Sequence, residues 1–324
     1  MKGPLRRRDV RLIVAAVGAS AAGDFILWVP LTLHLQAMTD SGIAVAALFI
    51  ALWAPVVVLA PVAGLLVDRL EARGLLLVVS LLQAAVAGAM AFALDSEAAI
   101  LALAALRLHA RRQPQPAGDT LDRARDGVVY LFRDRTLALV LSVVFVSLLF
   151  MTASATAEVF FLREDLGVGD IVYGLVFTAW TMGMVAGALF VARRVPATAM
   201  GVGVLIAVAV QGAGLGLPTV WLVVPFGAAM WFVGGLGHGT KNVLARTLIQ
   251  QRVPARLHGR AFAAYNGLRN GAEVVALAGG GVLVSAIGGR ATLAIAGAVP
   301  VVAALVGLAL FLRARARTPE PSLT

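Results

Sequence analysis

The sequence has no cysteine, so it can form no disulfide and offers no thiolate to a metal. Charged residues make up only 14% of the chain, and lysine is confined to Lys2 and Lys241. There is no GxxxxGK[ST] loop, which removes the usual reason to expect ATP hydrolysis. No HExxH helix, no serine–histidine–acid set and no metal-ligand cluster is present, so the reading is that the protein is not an enzyme and carries no cofactor and no metal. Extended polar chain is scarce too. The longest polar interval is Arg107–Arg135, with seven arginines, and Pro114, Pro116 and Gly118 interrupt any helix at its start. From Asp119 that interval can form an amphipathic helix with Leu121, Val128, Leu131 and Phe132 on its apolar side.

What fills the rest is hydrocarbon. Sixty per cent of residues are hydrophobic and the mean hydropathy is +0.91, against about 45–50% apolar in a soluble domain. Repeated apolar runs long enough to cross a bilayer predict an all-α, polytopic membrane helix bundle. Before the basic interval, spans are expected at about 12–36, 43–67 and 74–94, followed by a nine-residue stub at 98–106. After it, six are expected, at about 137–162, 171–192, 195–217, 219–239, 261–287 and 291–312. The domain division is then a short N-terminal bundle (1–106), a linker (107–135), a six-helix bundle (136–313) and a polar tail (314–324).

Basic residues decide whether the stub crosses. With a crossing stub, 24 of the 27 lysines and arginines fall on one side, only Arg163 and Arg290 on the other, and Arg269 inside a span. Without it, the two halves take opposite orientations and the bias vanishes. Positive-inside statistics therefore predict ten segments with both termini cytoplasmic. Length opposes this, because residues 96–110 rise only about 22 Å against a hydrocarbon core of about 30 Å. The net charge of +10 is accounted for by this topology, so no nucleic-acid partner is expected. The arginine, alanine and valine richness fits a bacterial inner-membrane protein.

Several stretches carry a resemblance. AEVFFLREDLGVGDIVYGLVFTAWTMGMVAGALF, NVLARTLIQQRVPARLHGRAFAAYNGLRNGAE and ALAGGGVLVSAIGG resemble the C-terminal half of major facilitator superfamily exporters. The nearest likeness is to the drug and siderophore branch that includes enterobactin exporters and macrolide efflux proteins. Gly64, Asp68, Arg69 and Arg73 match that family's loop between helices two and three, whereas Glu71 stands where glycine is usual. The resemblance implies twelve helices in two halves. Here about two helices are lacking from the first half, which reads as an internal deletion. It also implies a secondary active transporter, with proton-coupled efflux of small hydrophobic or cationic molecules across the bilayer. The alternative is a transport-inactive remnant of such an exporter.

Four residues are candidates for coupling or substrate contact. Asp24 lies about halfway along the first span, where an unpaired carboxylate is costly and a role in proton binding or recognition of a cation is the default. Arg269 and Glu273, four apart on one helical face, either neutralise each other or exchange partners with Asp24. Glu158 is placed near the outer end of its span. His34 and His238 are placed near span ends as structural groups. In the family the Gly64–Arg73 loop latches the two halves, so Asp68 and Arg69 are the gating candidates, with Arg256 and Arg260 as counterparts. The glycines around Gly235 and Gly280 are expected to permit close helix contact.

Overall fold

The computed structural model describes residues 30–52 and 120–316, together with the single positions Ala85, Ala89, Ser96 and Ile100. Every regular element among them is helical. The first described helical segments are α1 (residues 30–39) and α2 (Gly42–Leu52). Asp40 joins them in the left-handed region, with φ 46°, a conformation aspartate tolerates better than most residues. Six elements follow: α3 (Thr120–Arg133), α4 (Arg135–Phe160), α5 (Asp170–Ala186), α6 (Met200–Gly216), α7 (Val224–Arg252) and α8 (His258–Ala316).

Helix α3 is the amphipathic helix expected within the basic interval. Leu131 is fully buried, and the α-carbon of Gly127 lies against the backbone of Arg260 and the side chain of Ala264. Phe132, expected on the apolar side, is more than a third exposed. Helix α4 begins where Asp134 accepts a hydrogen bond from the Leu137 amide at 2.8 Å, an N-cap that satisfies one of the free donors of the first turn. Its 26 residues rise about 39 Å at ~1.5 Å per residue, enough to cross a bilayer.

The helices alternate in direction. Asp134 at the start of α4 pairs with Arg252 at the end of α7 at 3.2 Å, and His258 Nε2 bonds the carbonyl of Val253 at 2.8 Å. Arg133, Arg193, Arg194, Arg256 and Arg313 sit at the same end. At the opposite end Arg163 pairs with Asp170, and Arg290 Nε donates to the Thr219 carbonyl at 2.9 Å. The bundle thus has one strongly basic face and one mixed face.

Four helices are long and apolar enough to span a membrane by length and composition, covering Arg135–Asp165, Asp170–Arg194, Ala197–Thr219 and Ala255–Ala314. The last is two arms, because Gly288 breaks it with φ 79° and ψ 167°. That backbone suits glycine alone, and it returns the second arm along the first. Tyr265 stacks near Phe145 and Gly280 abuts Ala153 as the first arm rises along α4. Gly289 touches Phe160 and Gly307 touches Val143 as the second descends. The two predicted spans at 261–287 and 291–312 correspond to these arms.

Helix α7 departs from the expectation of a span ending at Gly239. It continues unbroken to Arg252, with Lys241, Leu244, Ala245, Leu248 and Ile249 buried. Hydropathy fails there because Lys241, Arg246 and Arg252 lower it. The periodicity of three and four nevertheless persists and keeps one face in the core.

Glycine sets the closest packing. Gly183 of α5 and Gly187, in the helical turn that continues it, lie against the backbone of Phe232 and Leu236, while Gly235 and Gly239 of α7 lie against Trp180 and Met184. Each pair is spaced four apart, so the two GxxxG stripes pack reciprocally and bring the backbones together. The outward face of α5 exposes Ile171, Leu175 and Met182, which is expected of a surface against lipid. The N-terminal helices dock on the same body. The Gly42 backbone meets Gly281 and Val284, and Gln36 Nε2 donates to Glu164 Oε1 at 3.4 Å.

Candidate functional site

Ser147, Lys241, Arg269 and Glu273 occupy corresponding depths in three helices. Each of the first three lies 11 or 12 residues from the basic end of its helix, or about 17 Å at ~1.5 Å per residue. That depth is well inside a hydrocarbon core of about 30 Å. Lys241 is 1% exposed, and its Nζ has one hydrogen-bond partner among the described residues, Ser147 Oγ at 3.5 Å. An ammonium carries three donors and belongs with several acceptors when buried. A single hydroxyl at that distance is a weak partner.

Arg269 and Glu273 form an ion pair along the first arm of α8. Arg269 Nε donates to Glu273 Oε1 at 2.8 Å, and the terminal nitrogen lies 2.8 Å from the same oxygen. The Arg269 side chain keeps 31% of its surface accessible and that of Glu273 keeps 12%. Both groups act electrostatically on Lys241. Two cations therefore share one carboxylate, and the carboxylate is already engaged by Arg269.

The surroundings are aromatic and partly polar. His238 lies one helical turn before Lys241, with Nε2 2.9 Å from Asn242 Nδ2, while its Nδ1 is buried without a partner among the described residues. Trp180 of α5 packs its ring 5.7 Å from the His238 ring. Tyr265, one turn before Arg269, sits 5.7 Å from Phe145, two residues before Ser147. His238 is thus at the middle of a 29-residue helix, not near a span end, because α7 runs on past Gly239.

Glu158 is partly buried near the mixed face and accepts from Ser154 Oγ at 3.0 Å. It acts electrostatically on Tyr173 of α5, which is 1% exposed. Its polar partners thus lie apart from the Lys241 cluster. Trp231 is core, 2% exposed, whereas Trp221 is 60% exposed and stacks on Phe226 at 4.9 Å at the mixed face. Asp24 and the loop residues Gly64, Asp68, Arg69 and Arg73 lie outside the described residues. Arg260, a proposed counterpart of that loop, lines a recess of about 240 Å³ on the basic face with Tyr130, Arg133 and Leu257.

Lys241 escapes the sequence reading because hydropathy places it in a basic loop with its arginine neighbours. A usable signal is present all the same. It is the lone lysine beyond Lys2, and it falls in phase with Leu244, Ala245 and Leu248 on the buried face.

A membrane helix bundle with alternating helices, a basic face and ionisable groups at mid-depth defines the class: an integral membrane transport protein. The chain belongs to the Major Facilitator Superfamily, whose family model matches residues 139–324. That range covers nearly all of α4 and everything after it. No curated protein and no solved structure matches the chain.

Proposed function

We propose that this transporter is a proton-coupled secondary exporter of small hydrophobic molecules, seated in a bacterial cytoplasmic membrane with both termini inside. The observation that carries this reading is the cluster of Lys241, Arg269 and Glu273 at mid-depth. Charge is expensive there and persists where it serves a pathway or a proton. Glu273 is the proton-coupling candidate, since a proton on it frees Arg269 from its partner. Asp24 and Glu158 are further carboxylates for the same cycle. Gly64, Asp68, Arg69 and Arg73 are proposed as the gate, by resemblance to the family loop. The cationic substrates expected from the sequence are disfavoured beside two cations and one carboxylate.

The test is efflux from proteoliposomes under an imposed proton gradient, with the full chain. Gradient-dependent flux that Glu273→Gln abolishes supports the reading. A second reading is a transport-inactive remnant, since the family model matches residues 139–324 and not the residues before them, and absence of any flux by the parent protein would support that instead.

A further inference from the structure

We infer that Lys241, with Arg269 beside it, forms a docking site for a single anionic group, such as a carboxylate carried on a hydrophobic body. The inference rests on the transporter reading and names the substrate class of the same site. It starts from charge. In their ordinary charge states Lys241 and Arg269 are cationic and Glu273 anionic, which leaves one positive charge uncompensated among the described residues. Arg269 already holds Glu273 through both its Nε and a terminal nitrogen, which leaves Lys241 as the ammonium without a counter-ion among them.

Among the described residues the buried amine also has few acceptors. Ser147 Oγ at 3.5 Å supplies one weak contact for three donors. Burying such a group without a partner costs several kcal/mol. An incoming oxyanion removes that cost, because it contributes both charge and acceptor oxygens. The neighbouring polar groups do not supply them. His238 and Asn242 bond each other, and Tyr265 is held among the charges of Arg269, Arg246 and Glu273.

Geometry adds access and a shape. Arg269 is 31% accessible while Lys241 is 1% exposed, so the guanidinium is the more accessible of the two cationic groups. The rings of Phe145 and Tyr265, and of Trp180 beyond His238, place apolar and aromatic surface at the same level. A lipid headgroup is excluded as the natural occupant by depth, since the site lies about 17 Å from the basic end of the helices and headgroups remain at the ends.

The experiment measures equilibrium binding to the full chain in proteoliposomes without a gradient. The probes are radiolabelled 2-naphthoate, benzoate and decanoate, each competed by its own carboxylate and by its amide. The expected result is a preference for at least one carboxylate over its amide of about tenfold or more, the size of one charge-assisted hydrogen bond. Lys241→Gln should abolish the preference, and Lys241→Arg should keep it. Parity between every carboxylate and its amide in the parent protein overturns the inference and requires no variant to fold. A preference that survives in folded Lys241→Gln also overturns it. Carboxylate preference in a protein that shows no gradient-driven flux sustains the anion site and removes the transporter reading. Gradient-driven flux of neutral molecules with carboxylate and amide at parity does the reverse.

Discussion

Asp134 joins two helices through its two carboxylate oxygens. Oδ1 accepts from the Leu137 amide at 2.8 Å and caps α4, and Oδ2 lies 3.2 Å from Arg252 at the end of α7. The ion pair is a third to a half exposed, so its own contribution is at most about 1 kcal/mol. The cap is the more valuable half of the arrangement, since loss of a capping side chain costs about 0.5–2 kcal/mol.

Two substitutions separate those halves. Asp134→Asn keeps a capping oxygen and gives up the charge, and should lower stability by less than about 1 kcal/mol. Asp134→Ala removes both and should cost about 1 kcal/mol more. Thermal unfolding of the purified protein, followed by circular dichroism, reads the difference. Equal losses for the two variants would show that the ion pair to Arg252, and not the cap, holds the two helix ends.

The glycine stripes predict opposite outcomes at superficially similar positions. A Cβ at Gly235 or Gly239 would enter the backbone of Trp180 or Met184, so Gly239→Val must push α5 and α7 apart. At Gly267 and Gly271, also four apart, a Cβ meets nothing within 4 Å among the described residues. Gly271→Ala should therefore fold normally and gain up to about 1 kcal/mol from helix propensity. Yields of monodisperse protein by size-exclusion chromatography, together with melting temperatures, check both.

Replacing Lys241 with methionine removes a buried charge while nearly preserving volume. Exchanging buried charge for apolar packing is often neutral or stabilising, so Lys241→Met should melt within about 1 kcal/mol of the parent or above it. Gradient-driven efflux should nevertheless fall at least about tenfold, the equivalent of ~1.4 kcal/mol. A stable Lys241→Met variant with parental efflux would remove Lys241 from the transport path.

The absence of cysteine makes orientation simple to measure. A single cysteine at Gly169, on the mixed face, should react with a membrane-impermeant maleimide in intact cells. One at Ala197, on the basic face, should react only after permeabilisation. The reverse pattern would invert the proposed topology.

The sequence alone was enough for the class of architecture. Backbone donors and acceptors cannot remain unpaired in hydrocarbon, which leaves helices or closed barrels, and continuous apolar runs of membrane length fit helices, since barrel strands are short and alternate in polarity. Arginine placement separated a basic end from a mixed end, and the ends of α4 to α8 follow that division. Motif resemblance pointed to the superfamily that residues 139–324 match. The Arg269–Glu273 pair was legible too, since a spacing of four places both on one helical face.

Tertiary structure decided the rest. Hydropathy ended α7 at Gly239, because it counts a lysine as polar wherever it points. Packing carried the helix to Arg252, because Lys241 shares a face with Leu244, Ala245 and Leu248 that turns toward α4. That Lys241 meets Ser147 across 94 positions of sequence is a property of helix pairing that no local pattern encodes. The reciprocal fit of Gly183 and Gly187 with Gly235 and Gly239 has the same origin. Spacing along one helix shows which residues share a face, and only the approach of another helix decides what that face meets.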